Sequence, residues 1–316
     1  MLTEPKKPEI PEWLHELYPF CTRTAIVDGC RMSFVDEGPS DAPPVLMLHG
    51  NPTWSFLFRH LIRKVRATRR VIAPDQIGFG LSEKPRDPAY HTLERHIQNL
   101  TNLVDELGLT NITLVAQGWG GPIGLGYAVR HSQNIARLVL CSTWPLPVAN
   151  VDQLKLPFRI RLASAGRIGR YFDSLLNLSL AAAIASRTYK KPSDWTIEGY
   201  KFPFPTTASR VAIAEFTRMF LKTSAEDRAT MEQNYKGLKM ITAPADIIIG
   251  AADPLLTQLP AYLLRDALSN AHEPVVVPNA SHLMPEDNPD VIAETVLREG
   301  PAKGENRPGS LFNILK

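Results

Sequence analysis

Short unbroken apolar runs alternate with longer stretches of helical periodicity along most of this chain. Residues 44–48, 71–73, 112–116 and 138–141 are runs of aliphatic and β-branched side chains, too short for helices. Runs with no polar alternation fit parallel strands buried on both faces. Between them, residues 93–107 carry apolar positions at helical spacing. Earlier, residues 22–27 and 31–36 mix polar and apolar side chains as an antiparallel hairpin does, with Asp28-Gly29 as the turn dipeptide. The pattern resumes late with residues 245–249 and 275–277, each followed by polar turn residues and a helical stretch. This alternation predicts an α/β fold built on a mostly parallel, doubly wound sheet.

The strand signal stops between about residues 145 and 232. That stretch opens with Trp144-Pro145-Leu146-Pro147, carries helical patterns at 154–165, 171–187 and 208–221, and includes Phe202-Pro203-Phe204-Pro205. Strand runs on both sides of it predict a helical cap, residues 145–232, inserted into one sheet domain made of residues 1–144 and 233–316. Residues 300–316 hold several Gly, Pro and charged residues and read as a loosely packed tail.

At 316 residues the chain is long enough for such a domain and its insertion. A hydrophobic content of 44% and a charged content of 21% imply no shortage of core. The net charge of +3 comes from scattered Lys and Arg, which gives nucleic-acid binding little support. Cys21, Cys30 and Cys141 lack C-x-x-C spacing, so neither a disulfide framework nor a metal site is expected, and a reducing cytoplasm fits best. The polar, Pro-rich N-terminus has no apolar targeting core, and no run reaches the roughly 18 apolar residues of a membrane span.

The chemistry gathers at strand ends. After the run 112–116 the chain turns through Gln117-Gly118-Trp119-Gly120-Gly121-Pro122 into a helical pattern. This is the strand, tight turn and helix in which a Ser, Cys or Asp stands above the sheet edge as a nucleophile. Gly118 occupies that position and brings no oxygen or sulfur to bond to carbon. His49-Gly50-Asn51-Pro52 follows an earlier strand run, where backbone N–H groups of an oxyanion site belong. Asp253 lies just past the run 245–249, and His282 just past 275–277. A carboxylate there can accept the imidazole Nδ1–H and leave Nε2 as a base. Asp75 and Ser82 read as loop braces, Cys141 as a small buried hydrophobe, and Arg159, Arg161, Arg167 and Arg170 as a solvated helix face.

Taken together, His49-Gly-Asn-Pro-Thr-Trp54-Ser-Phe56, the segment from Pro74-Asp75 to Pro85, Gln117-Gly118-Trp119-Gly-Gly-Pro and the His282 segment resemble the haloalkane dehalogenase family of α/β-hydrolases. The resemblance runs over roughly residues 20 to 295. It implies an α/β-hydrolase fold and cofactor-free hydrolysis of a carbon–halogen bond in a small apolar substrate. In the family an elbow Asp displaces halide to form an alkyl ester, a His activates water to hydrolyse it, and an Asn and a Trp hold the halide ion. Carried over, Asn51 and Trp119 become the halide pair, His282 the base and Asp253 its orienting acid, with Gly118 where the nucleophile is expected. Some members take the acid from the strand after the elbow helix, but Cys141-Ser-Thr-Trp144-Pro offers no carboxylate there. That brings the chain nearer a branch that also resembles β-lactone decarboxylases of olefin synthesis. Without a nucleophile the chain is expected to be inactive or severely impaired; a decarboxylase-like lyase and a non-catalytic ligand-binding protein are the alternatives. Trp54, Phe56, Trp144, Phe204 and Phe220 are candidate pocket residues.

Overall fold

In the computed structural model, which describes residues 10–147 and 177–298, the apolar runs become the centre of an eight-stranded sheet. Its strands are β1 (Thr22–Val27), β2 (Cys30–Glu37), β3 (Pro44–Leu48), β4 (Arg70–Pro74), β5 (Ile112–Gln117), β6 (Ile135–Cys141), β7 (Ala245–Gly250) and β8 (Val275–Val277). They lie in the order β1-β2-β4-β3-β5-β6-β7-β8. β1 and β2 form the expected hairpin, β2 pairs antiparallel with β4, and the remaining neighbours are parallel. Asp28 and Gly29 take φ values of 49° and 73°, the paired positive values that a two-residue turn matched to the strand twist requires.

The central strands are mainly apolar because helices cover both faces. Residues 45–48 of β3, 114–116 of β5 and 138–141 of β6 are all buried. Helix Leu93–Glu106 starts where the Thr92 side chain accepts the Arg95 N–H, and buries Leu93, Ile97, Leu100, Leu103 and Val104 along one stripe. Helix Gly120–Arg130 follows β5 and approaches β3 so closely that a Cβ at Gly120 would run into the Leu48 carbonyl oxygen.

Four helices lie between β6 and β7 among the described residues: Asn177–Ala185, Asp194–Lys201, Val211–Leu221 and Ala225–Gly237. The helix expected over 208–221 is a 3-10 turn, Thr207–Arg210, running into Val211–Leu221. Residue 232, the expected end of the insertion, lies inside Ala225–Gly237. That helix begins at Ser224, whose side chain accepts the Asp227 N–H, and packs against Gly120–Arg130 and Leu93–Glu106. Asp227 Oδ1 also accepts the Leu93 N–H at 3.0 Å, tying the helix to Leu93–Glu106. The helical pattern at 154–165, residues 171–176 of the next one, the four cap arginines and the tail 300–316 lie outside the described residues. No described helix is long and apolar enough to cross a membrane.

Parallel strands place their following loops at one edge of the sheet. The loops after β3, β5, β7 and β8 carry Asn51, Gly118, Asp253 and His282, the edge at which open α/β sheets bind ligands.

Candidate active site

Gly118 holds φ of +55° between β5 and helix Gly120–Arg130. The turn is fixed by its backbone. Gly118 N–H donates to Ser142 O at 3.3 Å, and Gly118 O accepts from Thr143 Oγ1 at 2.7 Å and from Gly121 N–H at 3.0 Å. A Cβ at this position would stand 3.5 Å from both Gly50 Cα and His282 Nε2, ordinary contact distances. The elbow thus keeps the shape and the space for a side chain aimed at the imidazole.

Behind that space, His282 Nδ1 meets Asp253 Oδ2 at 2.9 Å. The side chains are only 4% and 1% exposed. Burial pushes the Asp253 carboxyl up; the charge and hydrogen bond of His282 and the Leu256 and Leu255 N–H groups outweigh it and hold it below the usual carboxylate range. Oδ1 accepts those two backbone donors at 3.0 and 2.8 Å, so the carboxylate is locked with Oδ2 toward the ring. A carboxylate on Nδ1–H leaves Nε2 as the acceptor that faces Gly118. Gln117 Nε2 donates to His282 O at 3.0 Å, tying the His loop to the elbow strand.

A cleft opens over this pair and is lined by Asn51, Gly118, Trp119, Trp144, Phe220 and His282, among others. Trp119 stands edge-on to Trp144 with ring centroids 5.3 Å apart, and Trp144 to Phe220 at 4.9 Å. The Trp119 indole N–H has no hydrogen-bond partner among the described residues. Asn51 lines the same cavity, with its amide turned to the helical insertion. Its Nδ2 donates to Ile213 O at 3.2 Å and Thr217 Oγ1 at 3.0 Å, on helix Val211–Leu221, and its Oδ1 is buried without a partner. In this arrangement the amide N–H groups serve the helical insertion, while Trp119 and Arg187 are donor-bearing side chains that line the cavity beside it.

Trp54, Phe56 and Phe204 do not line the cavity. Trp54 is fully buried, stacks on Phe56 at 5.3 Å and donates its Nε1–H to Gly199 O at 3.2 Å. Phe204 packs edge-on to Phe79. Their size and apolarity placed them in the core beneath the insertion. Conversely, sequence reasoning missed Arg187, Thr217, Leu221 and Leu255, which do line the cavity. Thr217 lies one helical turn before Phe220, and that spacing was the available signal. Arg187 gave none, because it follows helix Asn177–Ala185 and its place depends on how the insertion folds back. Its Nη1 donates to Asn51 O at 2.9 Å and its carbonyl accepts Leu283 N–H at 2.9 Å.

The His282 loop is braced from behind. Arg59 clamps Glu286 through Nη1 and Nη2, both at 2.6 Å, and Tyr200 OH donates to the same carboxylate at 2.7 Å. Asp287 Oδ2 accepts Ser281 N–H and Oδ1 accepts Tyr189 N–H, both at 2.8 Å. Asp75 braces another loop, accepting Ser55 N–H and Leu81 N–H at 2.8 Å each. Cys141 lies wholly buried in β6, and burial pushes its thiol far up.

The model of the alpha/beta hydrolase fold family matches residues 43–289. Haloalkane dehalogenase 2 of Mycobacterium tuberculosis is 33% identical over 282 residues, 89% of this chain and 96% of that protein. The cis-3-alkyl-4-alkyloxetan-2-one decarboxylase of Xanthomonas campestris is 32% identical, over 87% of this chain and 93% of that protein. The crystal structure of haloalkane dehalogenase DbeA from Bradyrhizobium elkani superposes with a TM-score of 0.80 at 26% identity, covering 88% of this chain and 96% of that one. With strand order, elbow and relatives all in agreement, the chain belongs to the α/β-hydrolase fold family, in the group that holds the haloalkane dehalogenases and the oxetanone decarboxylases.

Proposed function

We propose that this chain is a haloalkane-dehalogenase-like protein that keeps the ester-hydrolysing half of the machinery and lacks the half that makes the ester. One observation carries the reading. The His282 imidazole, backed by Asp253 at 2.9 Å, directs Nε2 to within 3.5 Å of the point where an elbow Cβ would stand. The described helices Asn177–Ala185, Asp194–Lys201 and Val211–Leu221, within the stretch 145–232 expected to be inserted, act as the cap over the cavity. Aromatic walls from Trp119, Trp144 and Phe220 suit a small apolar substrate.

With a carboxylate at residue 118, that group would displace halide from carbon, and the Trp119 N–H would stabilise the departing anion. Nε2 of His282 would then take a proton from water as it attacks the ester, with Asp253 stabilising the imidazolium. Gly118 removes the first step, so the covalent route is absent and turnover falls by orders of magnitude. The Asn51 amide would join Trp119 only by turning its N–H away from Thr217.

The test is Gly118→Asp assayed for bromide release from 1-bromohexane. Release that disappears on adding His282→Ala supports the reading; a correctly folded Gly118→Asp that releases none contradicts it. The decarboxylase relatives support a second reading for the same restored site. A long-chain β-lactone giving olefin and carbon dioxide, with bromoalkane inert, would favour it.

A further inference from the structure

An active site that lacks a carboxylate but keeps its surroundings leaves a place for another one. None of the described residues lining the cavity is acidic. Trp119, only 3% exposed, presents an indole N–H with no partner among the described residues. His282 Nε2 faces the open position beside Gly118, and the Arg187 guanidinium stands in the same wall, one Nη donating to the Asn51 carbonyl. The Asn51 Nδ2 donates instead to Ile213 O and Thr217 Oγ1 on the helical insertion. Donors that converge on a cavity favour an anion there.

The cavity also has an apolar side, formed by Trp144, Phe220, Leu221 and Leu255. A bare halide would satisfy the donors and leave that wall empty. A simple alkane would do the reverse.

We propose that the site binds an organic carboxylate with a medium-length apolar tail, the carboxylate standing where the elbow side chain is missing. One proton is held between a carboxylate oxygen and His282 Nε2, the other oxygen accepts the Trp119 N–H, and the tail lies along Trp144 and Phe220. The ligand supplies the charge that Gly118 does not. This inference rests on reading residue 118 as the nucleophile position of the site.

The experiment is isothermal titration calorimetry of the full chain with sodium octanoate, octan-1-ol and sodium bromide. Octanoate is expected to bind at least tenfold tighter than either of the others, one of which lacks the charge and the other the tail. Gly118→Asp, which puts a fixed carboxylate in the same place, is expected to weaken octanoate at least tenfold, and Trp119→Phe to weaken octanoate while leaving octan-1-ol unchanged. Octanoate binding no tighter than octan-1-ol in the unmodified chain overturns the inference, and that comparison needs no variant to fold. Octanoate binding that Gly118→Asp and Trp119→Phe both leave unchanged also overturns it. Halide release is scored separately. Octanoate binding with an inert Gly118→Asp removes the dehalogenase reading alone, and halide release by Gly118→Asp without octanoate binding to the unmodified chain removes this inference alone.

Discussion

At Gly118 two physical demands that usually conflict are separated. A nucleophile in a sharp strand-to-helix turn must tolerate a left-handed backbone, and an ordinary residue pays about 1–2 kcal/mol for it. Glycine at φ +55° avoids that cost and gives up the chemistry. Because the nearest atoms to an added Cβ lie at 3.5 Å, a methyl group there meets no clash. Gly118→Ala is therefore expected to lower stability by about 1 kcal/mol through backbone strain alone, read from the urea midpoint. An unchanged or higher midpoint would contradict the strained elbow. The order Gly118, Asp253, His282 was readable in the sequence because each follows a strand run, and strand runs are marked by local pattern. Arg187 and the orientation of the Asn51 amide were not, since both depend on how the insertion lies over the sheet edge.

Among the elements, the short helix Met284–Asp287 after the His282 loop bears more than its length suggests. Glu286 joins Arg59, which is 3% exposed and follows β3, to Tyr200 on helix Asp194–Lys201. Burial raises the Glu286 carboxyl, but Arg59 and Tyr200 outweigh it and hold it below its ordinary value. Asp287 meets the same insertion at Tyr189 N–H. Removing one partner of a buried pair leaves the other charge uncompensated, so Glu286→Ala is expected to cost about 3 kcal/mol or more, measured by urea unfolding. A loss within about 0.5 kcal/mol, the scale of an ordinary surface substitution, would show that the pair carries no structural weight. Helix Ala225–Gly237 teaches the complementary lesson. Its sequence is mainly polar and continues the helical stretch before it, so nothing local shows which helices it packs against; the Asp227 bond to Leu93 N–H does.

For the whole molecule, the sheet order follows from runs that the chain displays openly, whereas the surroundings of its buried imidazoles emerge only on folding. Burial lowers the His49 pKa to about 4 from 6.5, while His91 and His96, stacked at 5.7 Å, are also held down mainly by burial. Unfolding lets each take a proton at its ordinary pKa, so stability is lost as pH falls from 6.5 toward 4, by about 3 kcal/mol for His49. Asp75 acts in the opposite sense. Burial raises it to about 6 from 3.8, so the fold regains stability as pH falls between those values. With His60 also held down and Asp287 also pushed up, four imidazoles stand against two carboxylates and predict a Tm that falls from pH 7 to pH 5 in calorimetric scans; a flat or rising Tm would contradict this balance. The central claim, that a hydrolytic site stands complete around a glycine in place of its nucleophile, is tested most directly by bromide release from 1-bromohexane, measured side by side for the unmodified chain and Gly118→Asp. The account predicts release from Gly118→Asp alone, dependent on His282. Comparable release from the unmodified chain, or none from a folded Gly118→Asp, would contradict it.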